Sequence, residues 1–339
     1  MITKSYLFCI LLPFAAPAQS VMTTPEPVAA ERPSVTKLDT LMTIKLSVNS
    51  EDEHFTVTGN DFFYDIRPNV SYLSRVNFNY KFISFRVGYI PKIFPANRDN
   101  DTEGRTKLFS LEFNMFAKHW NQELQYLKVR GFFLYNTSDY VPGWKDGTDP
   151  YIQFPDMKFI AYRGITTYKL NPRFSLKAIR NQTEIQEKSE GSFLGALNYS
   201  YYLIDNKSSS ASQTSSQKSD NFDALIAFGY IYNYVYHRNW YASAEFGFGC
   251  GINYTKLTTR YSTGNVYSTN TDFEYRLKEN IRAGYNSTRF FGGMELCLSQ
   301  TTRDQTGTGV NYDSFRNTMQ LFVGYHFNAP RFLKRLPLP

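Results

Sequence analysis

The strongest constraint on this chain is a side-chain alternation of period two, sustained over segments longer than soluble strands normally use. Over 70–80, Val70, Tyr72, Val76, Phe78 and Tyr80 share one face, while Ser71, Arg75, Asn77 and Asn79 share the other. Over 109–117, Phe109, Leu111, Phe113 and Met115 alternate with Ser110, Glu112 and Asn114. Over 241–255, Ala244, Phe246, Phe248, Ile252 and Tyr254 alternate with Ser243, Glu245, Gly247, Gly249 and Asn253. Over 316–327, Met319, Leu321, Val323, Tyr325 and Phe327 alternate with Thr318, Gln320, Gly324 and His326. Successive side chains on a strand point to opposite faces, so each segment has one oily and one polar face. Soluble strands run about five or six residues. These run roughly ten to fifteen, and a tilted strand needs about nine to eleven to cross a bilayer's hydrocarbon. A soluble sandwich would pair the oily faces in a core. A transmembrane barrel turns them to lipid, keeps the polar faces for a lumen and carries aromatic girdles at both interfaces. Rings crowd the segment ends, with Tyr230, Tyr232, Tyr234, Tyr236 and Trp240 around the tight connection at 237–239. The pattern predicts an all-β fold, an antiparallel transmembrane β-barrel.

Candidate strands fall at 70–80, 82–89, 106–118, 122–135, 157–168, 173–183, 191–203, 222–236, 241–256, 272–286, 289–301 and 313–327. That makes twelve, an even number as such barrels use, with a range from ten to fourteen open. Segments 41–49 and 54–64 either add to the wall or form a periplasmic hairpin. Loop parity is inconsistent. Segments 204–221, 257–271 and 302–312 read as long outer loops, yet 91–105 and 136–156 fall on the opposite side. Either a strand near 157–191 is split or merged, or some long segments face the periplasm.

Composition and targeting agree with this class. Aromatic residues make up 17% of the 339, with 29 Phe and 26 Tyr, in a chain without any apolar run of the about 20 residues a membrane helix needs. Lys4, the apolar stretch 6–14 and Ala16-Pro17-Ala18 form a secretory signal peptide over 1–18, with Cys9 discarded inside it. Residues 19–40, with Pro25, Pro27 and Pro33, read as a flexible periplasmic lead-in. The barrel domain spans 41–327. A basic tail follows over 328–339, with Arg331, Lys334 and Arg335 solvated or touching anionic head groups. The predicted address is the outer membrane of a Gram-negative bacterium, with membrane lipid and the barrel-assembly machinery as partners and no nucleic acid.

The stretch beginning at Tyr168 carries Tyr168, Asn171, Phe174 and Ser175, then Gln186, Lys188, Ser189, Gly191 and Ser192. This pattern resembles a Bacteroidota family of secreted, outer-membrane-type β-barrel proteins of unknown function. Tyr64, Pro68 and Asn69 and the closing run Val323 to Phe327 are similar to that family too. The family usually has a small residue where Glu190 stands and often an Arg where His326 stands. The resemblance implies the barrel and no activity. Aromatic Phe327 also resembles an assembly signal for such barrels, although it does not end the chain. On physical grounds Lys188, Ser189, Gly191 and Ser192 form a structural turn, since Gly admits positive φ and Ser hydroxyls satisfy turn amides.

Face assignments put Arg75, Arg86, Lys128, Arg130, Lys177, Arg276, Lys278, Arg282 and Arg316 in the lumen, with Glu112, Glu245, Glu274 and Glu295. Buried charges must pair or stay wet, so this set predicts a cationic interior. It suits either a cavity for small anionic solutes or a ladder of ion pairs stiffening a closed barrel. Barrels of about eight strands are filled by side chains and sixteen to eighteen leave a channel, so twelve predicts a narrow or plugged bore. His54, His119, His237 and His326 lack metal-ligand spacing, and neither a catalytic group nor a cofactor is expected. Cys250 on the oily face and Cys297 on the polar face are expected as two free, buried, unreactive thiols, about 9–10 Å apart and beyond disulfide reach. The leading expectation is a non-enzymatic barrel. The alternatives are an outer-membrane enzyme acting on lipid or envelope glycan, and a secreted soluble sandwich that binds carbohydrate.

Overall fold

The computed structural model describes residues 33–58, 62–98, 101–207, 215–305 and 310–330. The expected signal peptide and most of the expected basic tail lie outside the described residues. Twelve antiparallel strands close into a barrel. In chain order they are β2 (Leu41–Thr58), β4 (Tyr72–Tyr80), β5 (Ile83–Tyr89), β6 (Lys107–Phe116), β7 (Trp120–Leu134) and β8 (Ile152–Lys169). The remainder are β10 (Glu190–Asn206), β11 (Ser215–Tyr236), β12 (Trp240–Tyr261), β13 (Gly264–Asn286), β14 (Phe290–Gln305) and β15 (Val310–Asn328). Pairing of β15 with β2 closes the ring, which satisfies every strand edge. Three shorter pieces complete the sheet structure: β1 (Val35–Lys37), β3 (Phe63–Arg67) and β9 (Glu184–Gln186). Among the described residues one α-helix, α1, spans Leu176–Arg180.

The oily faces point outward. Phe246, Phe248, Leu321 and Val323 are 53%, 48%, 56% and 62% exposed, which excludes a sandwich that buries them in a core. Rings gather where β12, β13 and β14 begin or end: Trp240 packs on Tyr285 at 5.2 Å, and Tyr285 on Phe290 at 5.4 Å. This is the aromatic belt that marks a membrane–water boundary. No helix among the described residues is long and apolar enough to cross a membrane.

The twelve barrel strands are not the twelve segments read from the sequence. Segment 173–183 is not a strand but the α1 region; segment 41–49 and the first part of segment 54–64 are one long wall strand, β2, and the described end of the latter segment enters β3. The two errors cancel in the count and together account for the parity conflict. With β2 in the wall, the turns at 81–82, 117–119, 237–239 and 287–289 share one end of the barrel with the start of β2 and the end of β15. The described residues 62–71, 90–98, 101–106 and 135–151 share the other. Most of the expected outer loop at 257–271 is strand as well, because β12 and β13 run on as a hairpin to Tyr261 and Gly264.

Above the short β4, β5 and β6 the wall continues through β3, which pairs with the end of β2 and with Leu134 and Phe133 of β7. A bulge in β7 between Arg130 and Phe132 lets it meet this upper tier. Gly131 occupies the bulge at φ +90°, where a Cβ would lie 2.0 Å from the Arg105 carbonyl oxygen, so only glycine fits. Inside this tier an apolar cluster of Leu127, Val129, Phe132, Met157, Ala161 and Tyr202 replaces the polar lining found below.

Candidate functional site

Residues 170–189 leave β8 at the terminal end and fold back into the bore as a plug. Ser175 caps α1, its Oγ accepting from the Ala178 amide at 3.0 Å. After the helix Gln182 turns the chain at φ +55°. Its side chain donates to the Ile179 carbonyl at 2.6 Å and accepts from Lys45 Nζ at 3.2 Å. One face of the plug is apolar: Phe174, Leu176 and Ile179 pack with Phe116, Leu194 and Ile231 of the wall. Burying each such side chain contributes roughly 1.5–3 kcal/mol. The other face is polar and bonded to the barrel. Asn79 donates to the Asn181 carbonyl at 3.2 Å, and Asn286 to the Glu184 carbonyl at 3.0 Å. Strand β1 adds to β9, so residues 35–37 of the expected flexible lead-in are ordered strand, held by an edge the plug offers.

The motif residues tie this plug down. Ser192 Oγ accepts from the Asn171 amide at 3.0 Å, and Asn171 Nδ2 donates to the Gly191 carbonyl at 2.8 Å. The Gln186 side chain accepts from the Ser175 amide at 2.8 Å and donates to the Ser34 carbonyl at 3.1 Å. Ser189 Oγ accepts from the Val235 amide at 2.9 Å. At Gly191 an added Cβ would lie 2.2 Å from the Tyr230 hydroxyl oxygen. Lys188 and Ser189 thus lie where the plug returns to the wall, while Gly191 and Ser192 belong to β10 rather than to the expected turn, without a positive φ. The bonds of Ser189, Gly191 and Ser192 fix the plug's position.

Above the plug lies a chamber of about 410 Å³. Two polar crossbars span the bore at its ends. At the floor, Arg180 of the plug bonds Glu123 of β7 and lies 3.9 Å from Glu245 of β12, two strands with three others between them. Higher up, Arg303 of β14 bonds Glu274 at 2.6 Å, Asp223 at 3.4 Å and the hydroxyl of Tyr202 on β10. Between them Glu112 holds Arg86 at 2.8 Å with Arg75 at 3.9 Å, and Glu245 holds Lys278 at 3.1 Å and Arg282 at 3.2 Å. Arg282 also reaches Glu295 at 3.0 Å, and Arg276 donates to Thr301 at 2.9 Å.

Six expected lumen cations, Arg75, Arg86, Arg276, Lys278, Arg282 and Arg316, line this chamber, with Glu112, Glu245 and Glu295. Glu274 points inward but is sealed behind Arg303. Three assignments are corrected. Lys128 and Arg130 point outward, with Arg130 paired to Asp156 at 2.6 Å, because the interior at that height is the apolar cluster that takes Leu127 and Val129. Lys177 belongs to α1 and pairs with Glu184 of the plug at 3.3 Å. Arg163, Arg180, Arg303, Glu123 and Asp223 line the chamber unforeseen, as does none of the histidines. Arg303 lay just past a strand ended too early, and Arg180 on a segment misread as wall. Among the described residues the lining holds nine Lys or Arg side chains against five Asp or Glu, so it is net positive.

A family model described as a domain of unknown function, DUF4421, matches residues 35–327. The chain belongs to this family. In DUF4421 terms the match begins at β1 and closes at Phe327, so it takes in both plug and barrel. No curated protein sequence matches the chain. Among solved structures it is similar to the outer membrane protease OmpT of Escherichia coli, at 9% identity over 86% of this chain and 98% of that one, with a TM-score of 0.43. It is also similar to the outer membrane protein OprG of Pseudomonas aeruginosa, at 12% identity over 88% and 100%, with a TM-score of 0.26. Among the described residues no group of three or more His, Cys, Asp or Glu is placed to hold a metal ion. Cys250 and Cys297 are both free thiols, but not both buried: Cys250 is exposed on the outer wall and Cys297 lines the chamber.

Proposed function

We propose that this protein is a non-enzymatic outer-membrane barrel whose plugged, cationic chamber binds small anionic solutes. In this reading the chain reaches the outer membrane of a Gram-negative bacterium after loss of residues 1–18. The end that carries the plug faces the periplasm, and membrane lipid meets the exposed apolar wall. The K-S-x-G-S resemblance assigns the source to the Bacteroidota. The observation that carries the proposal is the lining of nine cationic against five acidic side chains around about 410 Å³ of space. A purely structural ladder of ion pairs would match its charges and fill its bore. Here small residues such as Ala227 and Gly247 leave space in the chamber, and the excess of cations sets a positive potential in a low-dielectric enclosure.

Cys297 supplies the test, since it faces the chamber. In a Cys250→Ser background, modification by an anionic methanethiosulfonate is expected to outpace a cationic one, on the order of tenfold after normalising both to a free thiol. Equal or reversed rates would overturn the anion reading. Failure of both reagents would show the chamber closed to solutes and overturn binding.

A further inference from the structure

The two sides of the chamber differ in kind, and the difference restricts the ligand further than charge alone. On one side β4 and β5 present Arg75 and Arg86, two guanidinium groups that both approach Glu112. In a ring of twelve, the strands diametrically opposite β4 and β5 are β11 and β12. Between Asp223, paired with Arg303, and Glu245, paired with Lys278 and Arg282, these strands present the apolar stretch Leu225, Ala227 and Gly247 to the same space. Gly247 is informative. It has no positive φ, and a Cβ built on it would meet nothing nearer than 3.6 Å. Neither backbone conformation nor packing therefore demands glycine there, although glycine in a strand interior costs about 0.5–1 kcal/mol relative to alanine. The remaining use of that position is the room it leaves in the chamber. The space, about 410 Å³, is in the range of about 300–1,000 Å³ typical of sites for organic ligands, far more than a bare inorganic oxyanion fills.

We infer that the chamber takes an amphiphilic organic anion, its oxyanion head at Arg75 and Arg86 and its apolar body against Leu225, Ala227 and Gly247. The inference rests on the anion-binding reading above and adds the apolar half of the ligand. Such a molecule gains from both walls at once, since the apolar body leaves water while the head is held by charge-assisted hydrogen bonds. Neither an inorganic anion nor a neutral apolar molecule satisfies both.

The test uses the full chain carrying Cys250→Ser in detergent, with phenyl phosphate, inorganic phosphate and benzyl alcohol as probes at matched concentration. The readout is protection of Cys297 from an uncharged maleimide. Phenyl phosphate is expected to slow the modification at least fivefold, inorganic phosphate and benzyl alcohol less than twofold. In a second variant, Gly247→Leu fills the apolar side, and phenyl phosphate is expected to lose its protection. Equal protection by inorganic phosphate would overturn the amphiphile while leaving the anion chamber standing. The same holds if no probe protects but the anionic methanethiosulfonate still reacts faster. Equal protection by benzyl alcohol, together with equal methanethiosulfonate rates, would overturn both readings.

Discussion

Glu245 joins more of the interior than its single charge suggests. It faces Lys278 and Arg282 on the neighbouring strand and Arg180 from the plug, all within 3.9 Å. Removing one partner of a buried ion pair leaves the others uncompensated, at a cost of about 3–5 kcal/mol. Glu245→Ala is therefore expected to lower the urea midpoint of the folded barrel by that equivalent, and an exposed control such as Asp156→Ala by about 0–1 kcal/mol, as for a surface pair. An unchanged midpoint for Glu245→Ala would show that the cluster is wet and carries little energy. Single residues were legible wherever the wall followed the simple rule of oily outside and polar inside, as at Arg75, Glu112, Glu245 and Arg282. The rule failed at Lys128 and Arg130, where the bore itself is apolar and Leu127 and Val129 turn inward. Alternation assigns the faces correctly where the bore is polar and reverses them where the bore itself turns apolar.

At the scale of elements, the plug is the part that sequence periodicity misread. The run from Arg173 to Thr183 has apolar residues near enough to period two to pass for a strand, yet it makes a five-residue helix and a left-handed turn. A helix this short does not hold itself together in water, since nucleation is unfavourable and its stability comes from packing. What fixes it is Phe174, Leu176 and Ile179 seated on the wall, a contact distant in sequence. Phe174→Ala is expected to cost about 3–5 kcal/mol as a core cavity. If the loss is local to the plug, Cys297 will react severalfold faster with a maleimide while the heat-modifiable gel mobility of the barrel persists. Thr36→Pro tests the N-terminal contribution. Proline cannot donate to the β1–β9 ladder, and the Thr36 hydroxyl bond to Glu187 at 2.9 Å is lost with it. The same acceleration at Cys297, smaller than for Phe174→Ala, is expected. No acceleration would mean that β1 decorates the plug without stabilising it.

For the whole molecule, the barrel, the plug and the crossbars determine together whether anything passes. A twelve-strand bore lies between the side-chain-filled and the open-channel sizes, and here Arg180 bridges it at the floor and Arg303 spans part of it higher up. The intact protein in a planar bilayer is expected to show no steady open-channel conductance. Brief openings, if seen, should favour anions by reversal potential in a salt gradient. A large, constant conductance would show that the plug does not close the bore, and cation preference would contradict the charge of the lining.

The amino-acid sequence alone determined the class of fold and which side of most strands meets lipid. Both follow from local alternation and length, which each segment carries within itself. Only the tertiary structure decided what fills the bore. The return of 170–189 into the barrel, the two arginine crossbars and the apolar stretch of wall opposite Arg75 and Arg86 join residues as far as 152 positions apart. Such contacts come from ring closure and strand register, which set who faces whom across the interior and leave no periodic trace along the chain.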